Sequence, residues 1–243
     1  MVIWTHNAYW FQGAPSLWQE ERQEPHPEAL KALIDLYRSL DADVLCLQEV
    51  PTEQVAQQVG DDLGMSVTFA AGGERTMYGG AILWREGLAA QVQDLSQMPT
   101  SLGCRFERIC MVMTLNVDDS SVDICNVHLS SNRFAPQSNG EPVRLAELET
   151  LFAQIEAPSI IAGDFNARPD STVYEMMRSR GYEDPHAGMV QEIDYLWQHG
   201  DTGIHAEPLL LPADFEIPGH AGVALSDHRP VGTRVTVPSF PGK

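Results

Sequence analysis

Cysteine is scarce in this 243-residue sequence: Cys46, Cys104, Cys110 and Cys125 are the four present. None forms a C-x-x-C pair and no zinc-type spacing occurs, so a cysteine-rich zinc site is excluded. All but Cys104 lie in apolar, strand-like runs, which predicts buried free thiols in a reducing compartment. Basic residues are few as well. Fifteen Lys and Arg stand against 34 Asp and Glu, a formal net charge of −19. A protein that grips a nucleic-acid backbone carries a basic face. A broad basic surface is therefore excluded, and nucleic acid is disfavoured as a partner, although a small local patch is compatible with the count. The acidity otherwise serves solubility. No apolar run is long enough to span a bilayer, and no basic segment followed by an apolar stretch opens the chain. The expectation is a cytoplasmic protein without a transmembrane segment. Repeats, low-complexity tracts and linkers are missing too, so residues 1–243 are read as a single domain. The remainder is ordinary for a globular chain, with 43% hydrophobic and 20% charged residues, and the length suffices for a core without disulfide staples.

Strand-like and helix-like segments alternate almost from end to end. Residues 2–8 read as a first strand, and 9–27 as a long loop with three prolines and several aromatics. Leu30, Leu33, Ile34, Tyr37 and Leu40 recur at helical spacing after Pro27. Residues 43–48 suit a buried strand, and 52–63 a helix capped by Thr52 and stopped by Gly64. Strands are expected at 67–71, 80–85, 109–117 and 122–129, the last two joined as a hairpin through Asp118, Asp119 and Ser120. Leu145, Leu148, Phe152 and Ile155 mark another helix, followed by a strand at 159–162 and a helix at 171–180 ending near Gly181. Late strands are expected at 193–197 and 233–237. Interleaved elements of this kind make one layered α and β unit the simplest account.

Polar residues recur where apolar strands end. Asn7 closes the first strand, Glu49 follows Val44-Leu45-Cys46-Leu47-Gln48, and His128 ends the run from Val122. Asp164 and Asn166 follow Ile160-Ile161-Ala162-Gly163, Asp194 sits between Ile193 and Tyr195, and Asp227 and His228 follow Leu225-Ser226. Strand-end loops on a rigid scaffold are where catalytic groups are presented. If these ends converge, one cleft holds carboxylates, two histidines and two asparagines. Hard oxygen donors with few cysteines suit Mg²⁺ or Mn²⁺ rather than zinc. Such an ion polarises a phosphoryl oxygen, a carboxylate positions or deprotonates water, and His and Asn donate to phosphorane oxygens.

Six segments carry a resemblance: Thr5-His6-Asn7, Leu47-Gln48-Glu49-Val50, Asn126-Val127-His128-Leu129, Gly163-Asp164-Phe165-Asn166, Ile193-Asp194-Tyr195 and Ser226-Asp227-His228. In this order the sequence resembles the endonuclease/exonuclease/phosphatase superfamily, which includes pancreatic deoxyribonuclease, abasic-site endonucleases, inositol polyphosphate phosphatases and neutral sphingomyelinases. The resemblance implies an α+β fold, a four-layer α/β/β/α sandwich of two packed mixed β-sheets flanked by helices. It implies a Mg²⁺-dependent hydrolase of phosphate esters, with Mn²⁺ able to substitute. It further implies Glu49 as the principal metal ligand, with Asn7 and Asp227 beside it, and Asp164 as the carboxylate that aligns or deprotonates water. Asn166 is implied as a phosphate donor, His228 as the histidine on the scissile phosphate, Asp194 as the carboxylate orienting it, and His128 as a stabiliser of the transition state.

Each residue taken alone has a plainer reading: Asn7, Asp164 and Asn166 as turn residues, Glu49 as a helix-entry residue, His128 as a satisfied core histidine, and Asp227-His228 as loop chemistry. Asp194 resists this, because an unpaired carboxylate within a buried strand is costly. Four substrate-binding candidates stay open. Arg105 and Arg108 can reach a substrate phosphate or form surface ion pairs. Arg144 can face the cleft or lie on a solvated helix face. Trp10, with Phe11 and Trp18, can stack on a substrate or pin the long loop by packing. Tyr78-Gly79-Gly80 stands where many relatives carry Gly-Asn, a departure that puts one family contact in doubt, and Glu74 is a candidate partner of His128. Three functions compete: hydrolysis of a small or lipid-derived phosphate ester, a nuclease or DNA-repair phosphodiesterase, and a catalytically inactive binding module, against which the intact motif set argues.

Overall fold

The computed structural model describes residues 1–20, 22–117, 120–133, 140–189, 193–211 and 214–237. Its strands are β1 (Val2–Asn7), β2 (Val44–Val50), β3 (Met65–Ala70), β4 (Gly79–Arg85), β5 (Ala89–Asp94), β6 (Cys110–Val117), β7 (Ser120–His128), β8 (Ile160–Asp164), β9 (Tyr182–Glu183), β10 (Asp194–His199), β11 (His205–Leu209) and β12 (Val231–Thr236). Its helices are α1 (Pro27–Leu40), α2 (Glu53–Leu63), α3 (Glu141–Gln154) and α4 (Thr172–Ser179). The strands form two six-stranded mixed sheets, ordered β11-β12-β1-β2-β4-β3 and β5-β6-β7-β8-β10-β9.

Each sheet has one parallel pair at its centre, β1 with β2 and β7 with β8. Helices lie between the parallel strands in sequence, α1 in the first pair and α3 in the second, as a parallel crossover requires. Leu33 and Ile34 of α1 and Val55, Ala56 and Val59 of α2 pack on Leu45, Leu47 and Leu83 of the first sheet. Leu148, Leu151 and Phe152 of α3 and Val173 and Met177 of α4 pack on Cys125, Val127, Ile161 and Trp197 of the second. A third core, with Ile3, Val44, Cys46, Ile82, Met111, Met113, Ile124, Ile160 and Leu196, lies between the sheets. The result is the α/β/β/α layering that the resemblance implied.

Local chemistry sets the helix ends. Thr52 Oγ1 accepts from Val55 N at 3.3 Å, and Gly64 takes the left-handed conformation (φ 65°) that stops α2. Ser171 Oγ accepts from Tyr174 N at the start of α4. The hairpin of β6 and β7 is formed, with Asp118 and Asp119 of its expected turn outside the described residues. β5, β9 and β11 escape the sequence pattern for a common reason: all three are edges. β5 exposes most of Ala89–Asp94 and buries no side chain fully, so it lacks an apolar stripe. β11 contains Pro208, which an edge strand tolerates because one side needs no ladder donor. Cys46, Cys110 and Cys125 are buried and all four cysteines are free. No helix among the described residues is long and apolar enough to cross a membrane.

Candidate active site

The alternation of strand side chains explains how polar residues from both sheets meet. In β1, Ile3 belongs to the core between the sheets, so Thr5 and Asn7 share its face. Val122 and Ile124 give the same parity to Asn126 and His128 in β7, Ile160 and Ala162 to Asp164 in β8, and Leu196 to Asp194 in β10. Asn7, His128, Asp164 and Asp194 therefore all face inward. They also lie at one end of the sandwich, because β1, β7 and β8 end there and β10 begins there, with Asp194 paired to Asp164 in register.

Glu49 breaks that parity. Val44 and Cys46 face the other sheet, whereas Leu45 and Leu47 face the helices. A regular strand would send Glu49 outward with the leucines. Instead the β2–β4 register shifts between Gln48 and Val50, Glu49 adopts φ 53°, and Val50 takes the helix-facing position. A bulge of this kind re-aims one side chain. A non-glycine residue in that conformation costs about 1–3 kcal/mol and is found where the surroundings and function demand it. Glu49 ends buried, with Oε2 lacking a hydrogen-bond partner among the described residues. Burial pushes its carboxyl up to about 8; the Arg108 charge opposes this, and the charges of Asp227 and Asp164 add to it.

Asp164 is the hub. Its Oδ2 accepts from Asn7 Nδ2 at 3.1 Å and lies 3.2 Å from His128 Nε2; its Oδ1 accepts from Asn166 N at 2.9 Å. Asn166 is held at φ 48° and donates Nδ2 to Leu129 O at 3.1 Å. The Asx-turn reading of this segment thus holds alongside any role at the phosphate. Gly163 before it is required by close approach: a Cβ there would lie 1.8 Å from Val127 O on β7. Burial alone would raise the Asp164 carboxyl, but His128, by charge and by hydrogen bond, and then the His228 and Arg108 charges hold it below the usual range. His128 is pulled down to about 4 by burial, with the Arg108 charge adding and Asp164 opposing. It is neutral at pH 7, carries its proton on Nε2 toward Asp164, and leaves Nδ1 without a partner among the described residues. Asp164 is thus the partner of His128, and Glu74 is not: Glu74 Oε1 accepts from Arg105 N instead.

His228 donates Nδ1–H to Asp194 Oδ2 at 2.6 Å. Its Nε2 stands 3.9 Å from Asp164 Oδ2 and 4.0 Å from Asp227 Oδ1. Burial opposes protonation, but Asp194, Asp164 and Asp227 outweigh it and raise the imidazole well above its ordinary range. The loop that carries it is stitched to β1: Ser226 Oγ donates to Asn7 O at 2.7 Å and accepts from His228 N at 3.2 Å. His6 Nε2 lies 3.1 Å from His228 O, and a carbonyl partner requires that nitrogen to carry the hydrogen. Burial pulls His6 down to about 3, so it is a neutral strut, with Nδ1 against the Tyr37 hydroxyl at 2.7 Å. Ser226 and His6 lie in quoted motifs, yet nothing in their residue type announces a supporting role.

Asp164, Asp194 and His228 offer ligand atoms within 4.8 Å of one another. The carboxylates of Asp194, Asp164 and Asp227 keep His228 protonated, so its Nε2 has no free lone pair for a metal, and within this trio its one hydrogen bond is to Asp194. The better fit is around Glu49: an orphaned buried carboxylate oxygen with the charge of Asp227 nearby, and Asn7 hydrogen-bonded to Asp164. Hard oxygen donors of this kind suit a divalent cation.

The remaining candidates separate. Arg108 is buried, donates Nη1 to Leu129 O at 2.9 Å, and lies over the Tyr78 ring at 4.7 Å. The surface ion-pair reading does not hold for it. Arg144 is buried too, with Nη1 on Ser130 O and Asn132 Oδ1, so the solvated helix face is corrected: its alkyl stem follows the helix inward. Arg105 is exposed and bonded to Gln97 Oε1 at 3.0 Å, a neutral partner. Trp10 is buried, donates Nε1 to Met77 O, and packs edge-on against Tyr78, so it pins its loop.

Beneath the site a polar clamp joins the sheets. Gln48 Nε2 donates to Thr5 Oγ1 at 3.0 Å and to Asn126 Oδ1 at 2.7 Å, and Asn126 Nδ2 donates to Leu47 O and Ala81 O. Both amides are fully buried. Asn126→Ala removes three buried hydrogen bonds, although Gln48 Nε2 keeps Thr5 Oγ1, and is expected to cost about 2–4 kcal/mol, measured by urea unfolding. A loss below about 1 kcal/mol would mean the sheets are held in register without the clamp.

The Endonuclease/Exonuclease/phosphatase family profile matches residues 5–228, from the strand that ends in Asn7 to the histidine of the dyad. The chain belongs to this family. It is similar to Carbon catabolite repressor protein 4 homolog 6 of Arabidopsis thaliana, 27% identical over 164 residues, which are 57% of this chain and 21% of that protein. The match therefore spans about a fifth of that relative's length. The human Nocturnin catalytic domain with bound sulfate anion superposes with a TM-score of 0.71 at 18% identity, covering 97% of this chain and 93% of that one. ANGEL2, described as a 2′,3′-cyclic phosphatase in complex with adenosine-2′,3′-vanadate, gives 0.68 at 17% identity over 96% and 94%. At such identities these structures speak for the fold, which is the deoxyribonuclease-like sandwich.

Proposed function

We propose that the chain is a Mg²⁺-dependent phosphoesterase, with Mn²⁺ able to substitute, that hydrolyses a small or lipid-derived phosphate ester by attack of water. The observation that supports it most is an unpartnered buried Glu49 oxygen within electrostatic reach of the Asp164 carboxylate, which three donors hold. Glu49, with Asn7 and Asp227, would hold the cation. When bound it supplies Lewis-acid polarisation of a non-bridging phosphate oxygen.

The chain's own groups do the rest. A carboxylate has about four acceptor positions, and three on Asp164 are taken by Asn7, His128 and Asn166, which leaves one for a water. With three donors fixing its orientation, the task proposed for Asp164 is to align or deprotonate that water. His128 acts as a positioning residue through Asp164. His228, charged and oriented by Asp194, directs Nε2–H at the phosphate oxygens, where the bond strengthens as charge develops. Asn166 keeps a second amide hydrogen for the same oxygens. Arg108 adds positive potential near Glu49 and Asp164; Arg144 and Trp10 support it by packing. Arg105 is read as a peripheral phosphate contact at most.

The net charge of −19 favours small esters over polynucleotides. The family's name keeps a nuclease reading as the alternative. The four free cysteines support a reducing, cytoplasmic location, and one site shared by both sheets supports reading 1–243 as one unit. A screen of phosphate mono- and diesters with single-stranded and duplex DNA, run in Mg²⁺ and in chelator, is the test. Turnover of small esters that chelator abolishes is expected. Faster cleavage of DNA than of every small ester would establish the nuclease reading, and Mg²⁺ binding without any turnover would establish the binding module.

A further inference from the structure

A cavity of about 560 Å³ adjoins the dyad and shares Asp194, Asp227 and His228 with the site. Its other walls include Leu209, Leu210, Leu211, Met189, Ile193 and Pro230. The volume falls in the range of small-molecule pockets, which are mostly apolar with a few placed polar groups. We infer that this cavity is a subsite for the organic group of the substrate, and that the group is uncharged and apolar; this rests on the phosphoesterase reading.

Three observations carry it. First, exposure: Leu210 is 82% and Met189 43% exposed, and both line this one cavity. Single exposed leucines need no explanation, but apolar residues gathered at the edge of a catalytic centre mark a binding surface. In a chain of net charge −19, three consecutive leucines that begin at the last residue of an edge strand are not there for solubility. Second, charge: the cations of the lining are each engaged, His228 with Asp194 and Arg229 with its guanidinium 5.3 Å from the Phe215 ring centroid, and the lining also carries the carboxylates of Asp194 and Asp227. A second phosphate there would be repelled by those carboxylates, whereas a neutral group would not. The ester's phosphate would sit at Glu49 and His228, with its organic group against the leucines. Third, His186 also lines the cavity. It is buried, its Nε2 faces Gly232 O at 2.8 Å and so carries the hydrogen, and its Nδ1 has no partner among the described residues. That acceptor is enclosed rather than open to solvent, so a hydroxyl or N–H on an otherwise apolar group could reach it only from within the cavity.

An alkyl chain and an aromatic ring share this chemistry, a nucleoside is the polar contrast, and matched series separate them. Alkyl phosphates and alkyl p-nitrophenyl phosphates from methyl to octyl, with phenyl, naphthyl and thymidine counterparts, would be assayed with the full chain in Mg²⁺. Binding of the monoesters would be followed by calorimetry. We expect kcat/KM to rise roughly two- to fourfold per methylene until the cavity is filled; a larger gain for rings than for chains of equal carbon number would identify the ring as occupant. Leu210→Asp and Met189→Asp, both at exposed positions where the fold tolerates change, should lower the octyl-to-methyl ratio at least tenfold. Leu102→Asp, at another exposed leucine, should leave it unchanged. Turnover with a flat series, or a ratio unmoved by Leu210→Asp, would overturn the subsite and leave the phosphoesterase standing. Chain-length-dependent binding without turnover of any ester would overturn the hydrolytic reading and keep the subsite.

Discussion

Asp164→Asn is expected to lower kcat by about 10³-fold, with a much smaller change in KM. The substitution keeps shape and removes charge. It also sets an amide hydrogen against a donor, because Asn7 and His128 donate to one oxygen and Asn166 N to the other. An asparagine can satisfy one side only, so the aim of the water is lost together with the carboxylate. Single-turnover kinetics would separate this from slow product release. A kcat within tenfold of wild type would mean that another group places the water.

The second large effect concerns Asp194 and His228. Asp194→Asn should lower kcat by about 10²-fold, because the imidazole loses the carboxylate 2.6 Å from Nδ1. The sign of the pH effect follows from the raised histidine. In wild type the imidazolium persists through neutral pH and is lost only as pH rises through its raised value. Without Asp194 that value falls, so the alkaline limb of the kcat profile should move to lower pH. In a double-mutant cycle, adding Asp194→Asn to His228→Ala should cost little beyond His228→Ala alone. Full additivity would mean the two residues act separately.

Much of this site was legible in the sequence because polar residues closed apolar runs. The parity of Ile3, Ile124, Ile160 and Leu196 then sends Asn7, His128, Asp164 and Asp194 inward without further information. Glu49 was legible by motif but not by parity: alternation alone points it at the helices, and only the bulge after Gln48 corrects this. The link between His128 and Asp164 was hidden because it crosses from β7 to β8, 36 residues apart in sequence. Glu74 was the wrong partner for the same reason, since strand pairing rather than sequence neighbourhood decides contact. Arginine burial was equally illegible. Arg108 and Arg144 are inside because the carbonyls of Leu129 and Ser130 accept from them, and carbonyls leave no trace in side-chain patterns. The two-sheet topology came from the resemblance; the pattern of elements gave their order, and missed the edge strands that bury little.

Calorimetric titration of Mg²⁺ into the wild-type chain and into Glu49→Gln tests the central claim most directly. Glu49 pays for its strained backbone with no protein hydrogen bond to Oε2 among the described residues, which is intelligible if a cation is its partner. The expected result is saturable binding in wild type and at least about tenfold weaker binding in the variant, with the unfolding midpoint retained. Equal affinity in the two proteins would contradict it and remove Glu49 from the metal site.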